Sequence, residues 1–438
     1  MLCLKNEVSI KIINIMRQKI IIRVFSAFAG FDTQFLALRE YARWYNRQSK
    51  GCLIEFKLIG WCEIDKDAIA SHNALFPEAK RCHYSDITKV DWSKVPDFDM
   101  LFYSSCCQSI TKTGKQEGMT EGSGTPSSLI WYIREAIRIK RPKVCILENV
   151  SALLTCKFDA QFEAWRNTVS GFGYRNTWSA MCAADFGVPQ SRNRVFLVSV
   201  RNDINKNVYF PEPIGCEVSA EELLEKVVDE KYYFSEEDTL SFLLDIHDKS
   251  PEHNVNIHIC DKGYCFKQLV TPSCLRKKGK ADKQSTLSYL HICPTLVADK
   301  NYAKGNYKKF LSSTHFPRPA VLEVWHTSER VSIPYKALID GASVSTLRKF
   351  KIINASREDI FAQSDNLDIG DYFRLRRLTP REYFRFMSVD EKDIDKLLLT
   401  NVSEDQLYKQ SGNAIVVQVL LNLYKSIFDN NIQVYSNN

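Results

Sequence analysis

At 438 residues, with 45% hydrophobic and 25% charged side chains, the chain has the composition of an ordinary globular protein, which excludes a mainly disordered or membrane-embedded one. Its length predicts two domains, or one large domain carrying an insertion. A formal charge of +7 fits a polyanionic partner without requiring one, and no apolar run reaches the roughly 18 residues of a spanning helix.

The 14 cysteines follow no framework spacing, and Cys62, Cys145 and Cys182 sit inside apolar runs. Without a secretory signal this reads as a cytoplasmic, reduced protein. Residues 1–19 mix Lys and Ile and carry no assigned function.

From Ile20 to Val200, short apolar runs alternate with amphipathic stretches. Ile20 to Phe25 precedes Gln34 to Tyr45, and Phe56 to Cys62 precedes Lys66 to Phe76. Phe98 to Tyr103 leads into a polar loop ending at Thr125, followed by amphipathic Ser127 to Ile139 and the run Val144 to Leu147. Ala160 to Val169 predicts a further helix and Arg194 to Val200 a further strand. The pattern predicts an α/β fold, a doubly wound parallel sheet with ligands at the carboxyl ends of its strands. Between Arg201 and Gly370 the alternation fades into an irregular, basic second module containing Arg276, Lys277, Lys278, Lys280 and Lys283. Periodicity returns over Tyr372 to Met387 and Gly412 to Ile427. The expected units are therefore 1–19, 20–200, 201–370 and 371–438.

Chemistry-bearing residues collect where these strands end. Phe25 to Thr33 closes the first strand with a small-residue turn, Phe28-Ala29-Gly30, of the kind that lets backbone amides approach a ligand at a helix N-terminus. With only Gly30 present, it is not a dinucleotide fingerprint. Glu63 and Ile64 end the second strand, where a carboxylate can accept ribose hydroxyls, and Asp86 and Ile87 follow at the next strand end. Together they predict a nucleoside-type cofactor.

The adjacent Cys106 and Cys107, followed by Gln108 and Ser109, lie at the end of Phe98 to Tyr103, and Glu148-Asn149 ends the next apolar run. A thiol can attack an electron-poor ring while a buried carboxyl protonates it, which activates a pyrimidine carbon for alkylation. In Gln190-Ser191-Arg192-Asn193-Arg194, two arginines at alternate positions would share one side of an extended segment and suit phosphate or a pyrimidine carbonyl. Cys260, Cys265, Cys274, His253 and His258 lack paired zinc spacing, so no metal is expected.

Taken in order, these segments resemble the cytosine-5 DNA methyltransferase family through almost the whole chain. Phe28-Ala29-Gly30 resembles the family's cofactor turn, and Glu63 and Asp86 match its ribose and adenine positions. Cys107-Gln108 resembles the nucleophile motif, Glu148-Asn149-Val150 the target-base motif, and Gln190 to Arg194 the Gln-x-Arg-x-Arg pattern. Arg377 to Glu382 looks like the ninth motif, and Gln410 to Ala414, with Asn413, like the tenth, which closes over the cofactor.

The resemblance implies an AdoMet-dependent methyltransferase (Rossmann-like) sheet with a smaller target-recognition domain. It implies S-adenosyl-L-methionine as cofactor and double-stranded DNA as substrate, in a monomer of bacterial or phage type, with or without a companion restriction endonuclease. Cys107 would attack C6 of a flipped cytosine, Glu148 would hold N3 and the exocyclic amine, and Arg192 would hold the carbonyl and a nearby phosphate. Arg194 would support the site, and the loop from Ser109 to Gly124 would close over the base.

Two positions depart from the family pattern: Cys106 replaces its proline before the nucleophile, and Pro126 replaces an arginine after the loop. An RNA cytosine methyltransferase, a silent DNA-binding paralogue and a Rossmann-type oxidoreductase are the competing expectations.

Overall fold

The alternating apolar runs build a seven-stranded sheet from β1 (Gln18–Ala27), β2 (Cys52–Cys62), β3 (His83–Tyr84), β4 (Met100–Tyr103), β5 (Val144–Val150), β6 (Tyr174–Cys182) and β8 (Asn193–Arg201). The computed structural model describes residues 18–49, 51–111, 116–234, 265–270, 293–294, 320–326, 351–352, 371–428, 432 and 434–436. The basic cluster 276–283, the 253–260 histidines and cysteine, Cys274 and residues 1–17 lie outside the described residues. Strand order is β3-β2-β1-β4-β5-β8-β6. The order reverses beside β1, which pairs with both β2 and β4, and this switch point opens a crevice at the carboxyl ends.

The central strands form because both of their faces are covered. In β4, Met100 and Phe102 face one apolar layer while Leu101 and Tyr103 face the other, and β5 divides Val144 and Ile146 from Cys145 and Leu147 in the same way. The first layer holds α1 (Thr33–Gln48), α2 (Lys66–Leu75) and the C-terminal helices. The second holds α3 (Ile133–Lys140) and α4 (Asp159–Gly171). A register shift between Val24 and Phe25 lets β1 pass Gly60, where a Cβ would stand 2.5 Å from the Phe25 ring.

Several elements differ from the sequence reading. β8 is antiparallel to both β5 and β6, so the sheet is mixed rather than parallel. The edge strand β6 was not expected because its polar residues, such as Arg175, Asn176 and Ser179, break up the apolar signal. The stretch Ser127 to Ile139 begins as a 3-10 turn (Pro126–Tyr132) capped by Thr125 and becomes α-helical only at Ile133. The helix expected from Gly412 starts at Val417.

The module judged irregular contributes a second, four-stranded sheet. β7 (Gln190–Ser191) pairs in parallel with β10 (Cys293–Pro294), and the second sheet has the order β12-β13-β11-β9. Its strands are β9 (Cys265–Val270), β11 (Ala320–His326), β12 (Lys351–Ile352) and β13 (Asp371–Arg377). β13 pairs antiparallel with β11, so the chain is still in this sheet at Arg377 before it returns to the first. Four helices then follow: α5 (Pro380–Phe386), α6 (Glu391–Leu398), α7 (Glu404–Asn413) and α8 (Val417–Phe428). α8 lies against α1, and the Tyr424 hydroxyl donates to the Gln34 carbonyl at 3.2 Å.

A Thr-Pro-x-Glu start organises α5. Thr379 caps the helix and Glu382 reaches back to the Thr379 amide at 2.8 Å, forming a capping box. Glu382 is fully buried and also receives Arg376 through both terminal guanidinium nitrogens at 2.8 and 2.9 Å. The Glu225 amide, at 2.8 Å, completes its bonding.

Candidate active site

β4 and β5 are neighbours in register, with Tyr103 opposite Leu147, so the residues that follow them emerge together. Glu148 is 5% exposed, accepts the Ser104 hydroxyl at 2.6 Å, and pairs with Arg194 Nε at 3.2 Å. Arg194 reaches it because β8 is reversed: Val150 stands opposite Arg194, so the start of β8 meets the end of β5. Asn149 is buried, and its amide donates to Ser105 Oγ at 3.3 Å while its oxygen accepts the Val150 amide at 2.8 Å. These contacts tie the two strand ends together and give Asn149 a bracing position.

Cys107 is half-buried, and its carbonyl accepts the Ile110 and Thr111 amides, both at 2.9 Å, closing one tight turn behind the thiol. Burial pushes the Cys107 thiol above its ordinary value; Arg194 opposes this, Glu148 and Cys106 reinforce it, and Arg192 opposes it. Ser127 steadies the doublet: its hydroxyl donates to the Cys106 carbonyl at 2.5 Å and accepts the Ser109 amide at 3.3 Å. Ser109 is therefore buried in the turn, whereas Gln108 is exposed.

The far half of the loop is docked. The Met119 amide donates to Gln161 Oε1 at 2.6 Å, the Met119 carbonyl accepts Trp131 Nε1 at 2.8 Å, and the Gly118 amide donates to the Ser109 carbonyl at 2.8 Å. Residues 112–115 lie outside the described residues.

On the other side of the crevice the turn after β1 puts Phe28, Gly30 and Asp32 at φ of 56°, 57° and 69°. A Cβ built on Gly30 meets nothing within 4 Å, so the turn faces open space. The Gly30 amide donates to Glu63 Oε2 at 2.8 Å, and the Ile64 and Asp65 amides donate to Glu63 Oε1 at 2.8 and 2.9 Å. A carboxylate offers about four acceptor positions, so Glu63 is fixed in place and keeps capacity for a hydroxyl. Ala29 is anchored through its amide to the Cys62 carbonyl at 2.9 Å. The Cys62 thiol itself is pushed up to about 12 by burial, then by Glu63 and Asp86, and stays a core group.

Ile64 is 74% exposed beside Glu63, an apolar surface suited to a ring. Asp86 caps the next turn through Thr88, whose hydroxyl above all holds the carboxyl below its ordinary range. Ile87 is buried in the core. Open space above a strained turn, a fixed carboxylate with spare capacity and an exposed apolar side chain together fit the nucleoside part of S-adenosylmethionine.

Gln190 and Arg192 sit elsewhere than the pattern suggests. Gln190 is fully buried and donates to the Phe386 carbonyl at 2.9 Å. Arg192 is 2% exposed and donates to the carbonyls of Gly412 and Ala414 at 2.8 and 2.7 Å. The extended alternation breaks at this point, because the Arg192 amide turns back to the Gln190 carbonyl at 2.9 Å. Arg192 thus grips the segment carrying exposed Asn413 and buried Ala414, which the Ile415 amide also ties to Thr33 Oγ1 at 3.1 Å. Sequence reasoning missed Ser104, Thr33 and Ser127. A hydroxyl directly after an apolar strand was the available signal for Ser104.

The family model described as C-5 cytosine-specific DNA methylase matches residues 22–429. Type II methyltransferase M2.ScrFI of Lactococcus lactis subsp. cremoris is 30% identical over 347 residues, covering 79% of this chain and 71% of its own length. Orphan methyltransferase M.SPRI of Bacillus phage SPR is 25% identical over 457 residues, with 93% and 97% covered. Among solved structures, a mutant of Spodoptera frugiperda DNMT2 shares the fold with a TM-score of 0.57 at 16% identity, covering 93% of this chain and 100% of that one. With a family match over nearly its whole length, this chain belongs to the C-5 cytosine-specific DNA methylases and uses S-adenosylmethionine.

Proposed function

We propose that Cys107 is the nucleophile that makes C5 of a target cytosine in duplex DNA receptive to a methyl group. The juxtaposition of Cys107 with the Glu148–Arg194 pair, at adjacent strand ends beside the switch point, carries this reading. The target carbon is inaccessible in a stacked duplex, so the base is flipped into the crevice. The Cys107 thiolate forms a bond to C6 while Glu148 holds N3 and the exocyclic amine, leaving C5 electron-rich. S-adenosylmethionine supplies an electrophilic methyl group. Loss of the C5 proton then restores the ring double bond and breaks the bond between C6 and sulfur, returning Cys107.

Arg194 orients Glu148 and favours the thiolate by its charge, and Ser104 fixes the second carboxylate oxygen. Glu63, Ile64, Gly30 and Asn413 line the cofactor side. Residues 201–370, with the second sheet, serve as the target reader, and Gln108 with the neighbouring loop covers the flipped base. The setting is cytoplasmic modification of bacterial or phage DNA by a monomer. Relatives are named both as a type II and as an orphan phage enzyme, so the reading covers a setting with or without a companion endonuclease.

Duplex DNA containing 5-fluorocytosine tests the assignment, since fluorine blocks the final elimination. With S-adenosylmethionine present, a stable adduct should form and map to Cys107. Full turnover by Cys107→Ser would overturn the role.

A further inference from the structure

A half-buried ion pair joins α7 to the segment that follows β2. Lys409 Nζ lies 2.6 Å from Asp65 Oδ2, with the two side chains 37% and 31% exposed. Asp65 belongs to the segment that fixes the cofactor carboxylate, because its amide donates to Glu63 Oε1 at 2.9 Å. Its other oxygen caps α2 by accepting the Asp67 and Ala68 amides at 2.9 and 3.3 Å. Lys409 lies on α7 four residues before Asn413, so the two share one helix face a turn apart. The pair therefore joins the wall carrying Glu63 to the segment carrying Asn413.

The segment from Lys409 to Ile415 is held at three points that differ in kind. Arg192 grips Gly412 and Ala414, and Thr33 holds Ile415, both within the protein interior. The Lys409–Asp65 contact alone of these three is partly open to solvent, and it rests on one ammonium against one carboxylate. Contacts of this kind are weak, screened by salt and quick to reopen, whereas the buried grips are not.

We infer that Lys409 and Asp65 form an electrostatic latch over the S-adenosylmethionine cleft, positioning residues that slow cofactor release without taking part in methyl transfer. This rests on the reading that Glu63 lies at the cofactor. The latch opens by separating one partly exposed pair, while the buried grips keep the 412–415 turn in register for the next molecule.

The test is a chase experiment on the full chain, with bound tritiated S-adenosylmethionine displaced by excess unlabelled cofactor. Lys409→Met and Asp65→Asn, the latter keeping the capping oxygen of α2, should each speed release roughly two- to fivefold. The double variant should be no faster than the faster single one, because both remove the same contact. Raising salt to about 0.5 M should bring wild-type release to the variants' rate and leave Lys409→Met unmoved. At saturating cofactor, kcat of Lys409→Met should hold.

Unchanged release in both single variants, additive effects in the double, or a full salt response in Lys409→Met would overturn the latch. Glu63→Gln separates the two layers of the argument. If it binds cofactor as tightly as wild type, the cofactor-site reading itself fails; if it binds weakly while Lys409→Met releases normally, the latch alone fails.

Discussion

Replacing Arg192 by methionine separates a base-contacting role from the holding role that its surroundings indicate. The guanidinium is 2% exposed and donates to two carbonyls, Gly412 at 2.8 Å and Ala414 at 2.7 Å. A hydrogen bond from a charged group contributes about 1.5–3 kcal/mol, and the two share one nitrogen, so their loss together should cost about 3 kcal/mol. Methionine restores most of the volume but leaves both carbonyls without this donor. The unfolding equilibrium should therefore shift about a hundredfold, read as a lower urea midpoint. Since the same carbonyls flank Asn413, KM for S-adenosylmethionine should rise about tenfold while affinity for duplex DNA stays near wild type. At saturating cofactor the 5-fluorocytosine adduct should still form. If Arg192→Met instead unfolds at the wild-type urea concentration, binds cofactor normally and loses its grip on the target cytosine, the holding role is wrong.

Three further outcomes rest on other contacts. Burial holds the Cys107 thiol above its ordinary value, so single-turnover methylation should climb with pH through the neutral range; Arg194 is the foremost opposing influence. Arg194→Met, by removing a cation that favours the thiolate, should move that climb to higher pH and slow the reaction at pH 7, and an unmoved or downshifted profile would refute the assignment. Glu382→Ala should cost about 3–5 kcal/mol in urea denaturation, because it strands the buried Arg376 charge and opens the α5 capping box; a loss near zero would contradict the buried pairing. Cys106→Pro keeps the carbonyl that Ser127 engages and should leave methyl transfer within about threefold of wild type, with stability changed by no more than about 1 kcal/mol; collapse of activity would show that the Cys106 side chain or amide is needed.

What the sequence made legible was local: a polar group directly after a buried apolar run. Glu148 was visible in this way because a carboxylate ending a strand buried on both faces must find partners or do chemistry, and Glu63 because it ends its strand where a carboxylate can accept ribose hydroxyls; both find partners within hydrogen-bond distance. The cofactor turn was visible through its small residues, although the positive φ at Phe28 and Asp32 was not. The second sheet was illegible because its strands are separated by long stretches and pair at a distance, β9 with β11 and β11 with β13.

The Gln-x-Arg-x-Arg segment shows where local reading reaches its limit. It precedes an apolar strand, and in a purely parallel sheet the start of a strand lies at the edge opposite the crevice. Only the reversal of β8, a property of the whole sheet, carries Arg194 to Glu148. Regular alternation would also have sent all three polar residues to one ligand, whereas the backbone turns back at Arg192 and divides them. Gln190 takes the Phe386 carbonyl and Arg192 the Gly412 and Ala414 carbonyls, partners 196 to 222 residues away in the chain. Arg194 pairs with Glu148 and is the foremost cation acting on the Cys107 thiol, with Arg192 the weaker one. One five-residue pattern therefore serves two ends: its first two polar side chains lock the returning C-terminal segments against the sheet, and its last sets the charge beside the nucleophile.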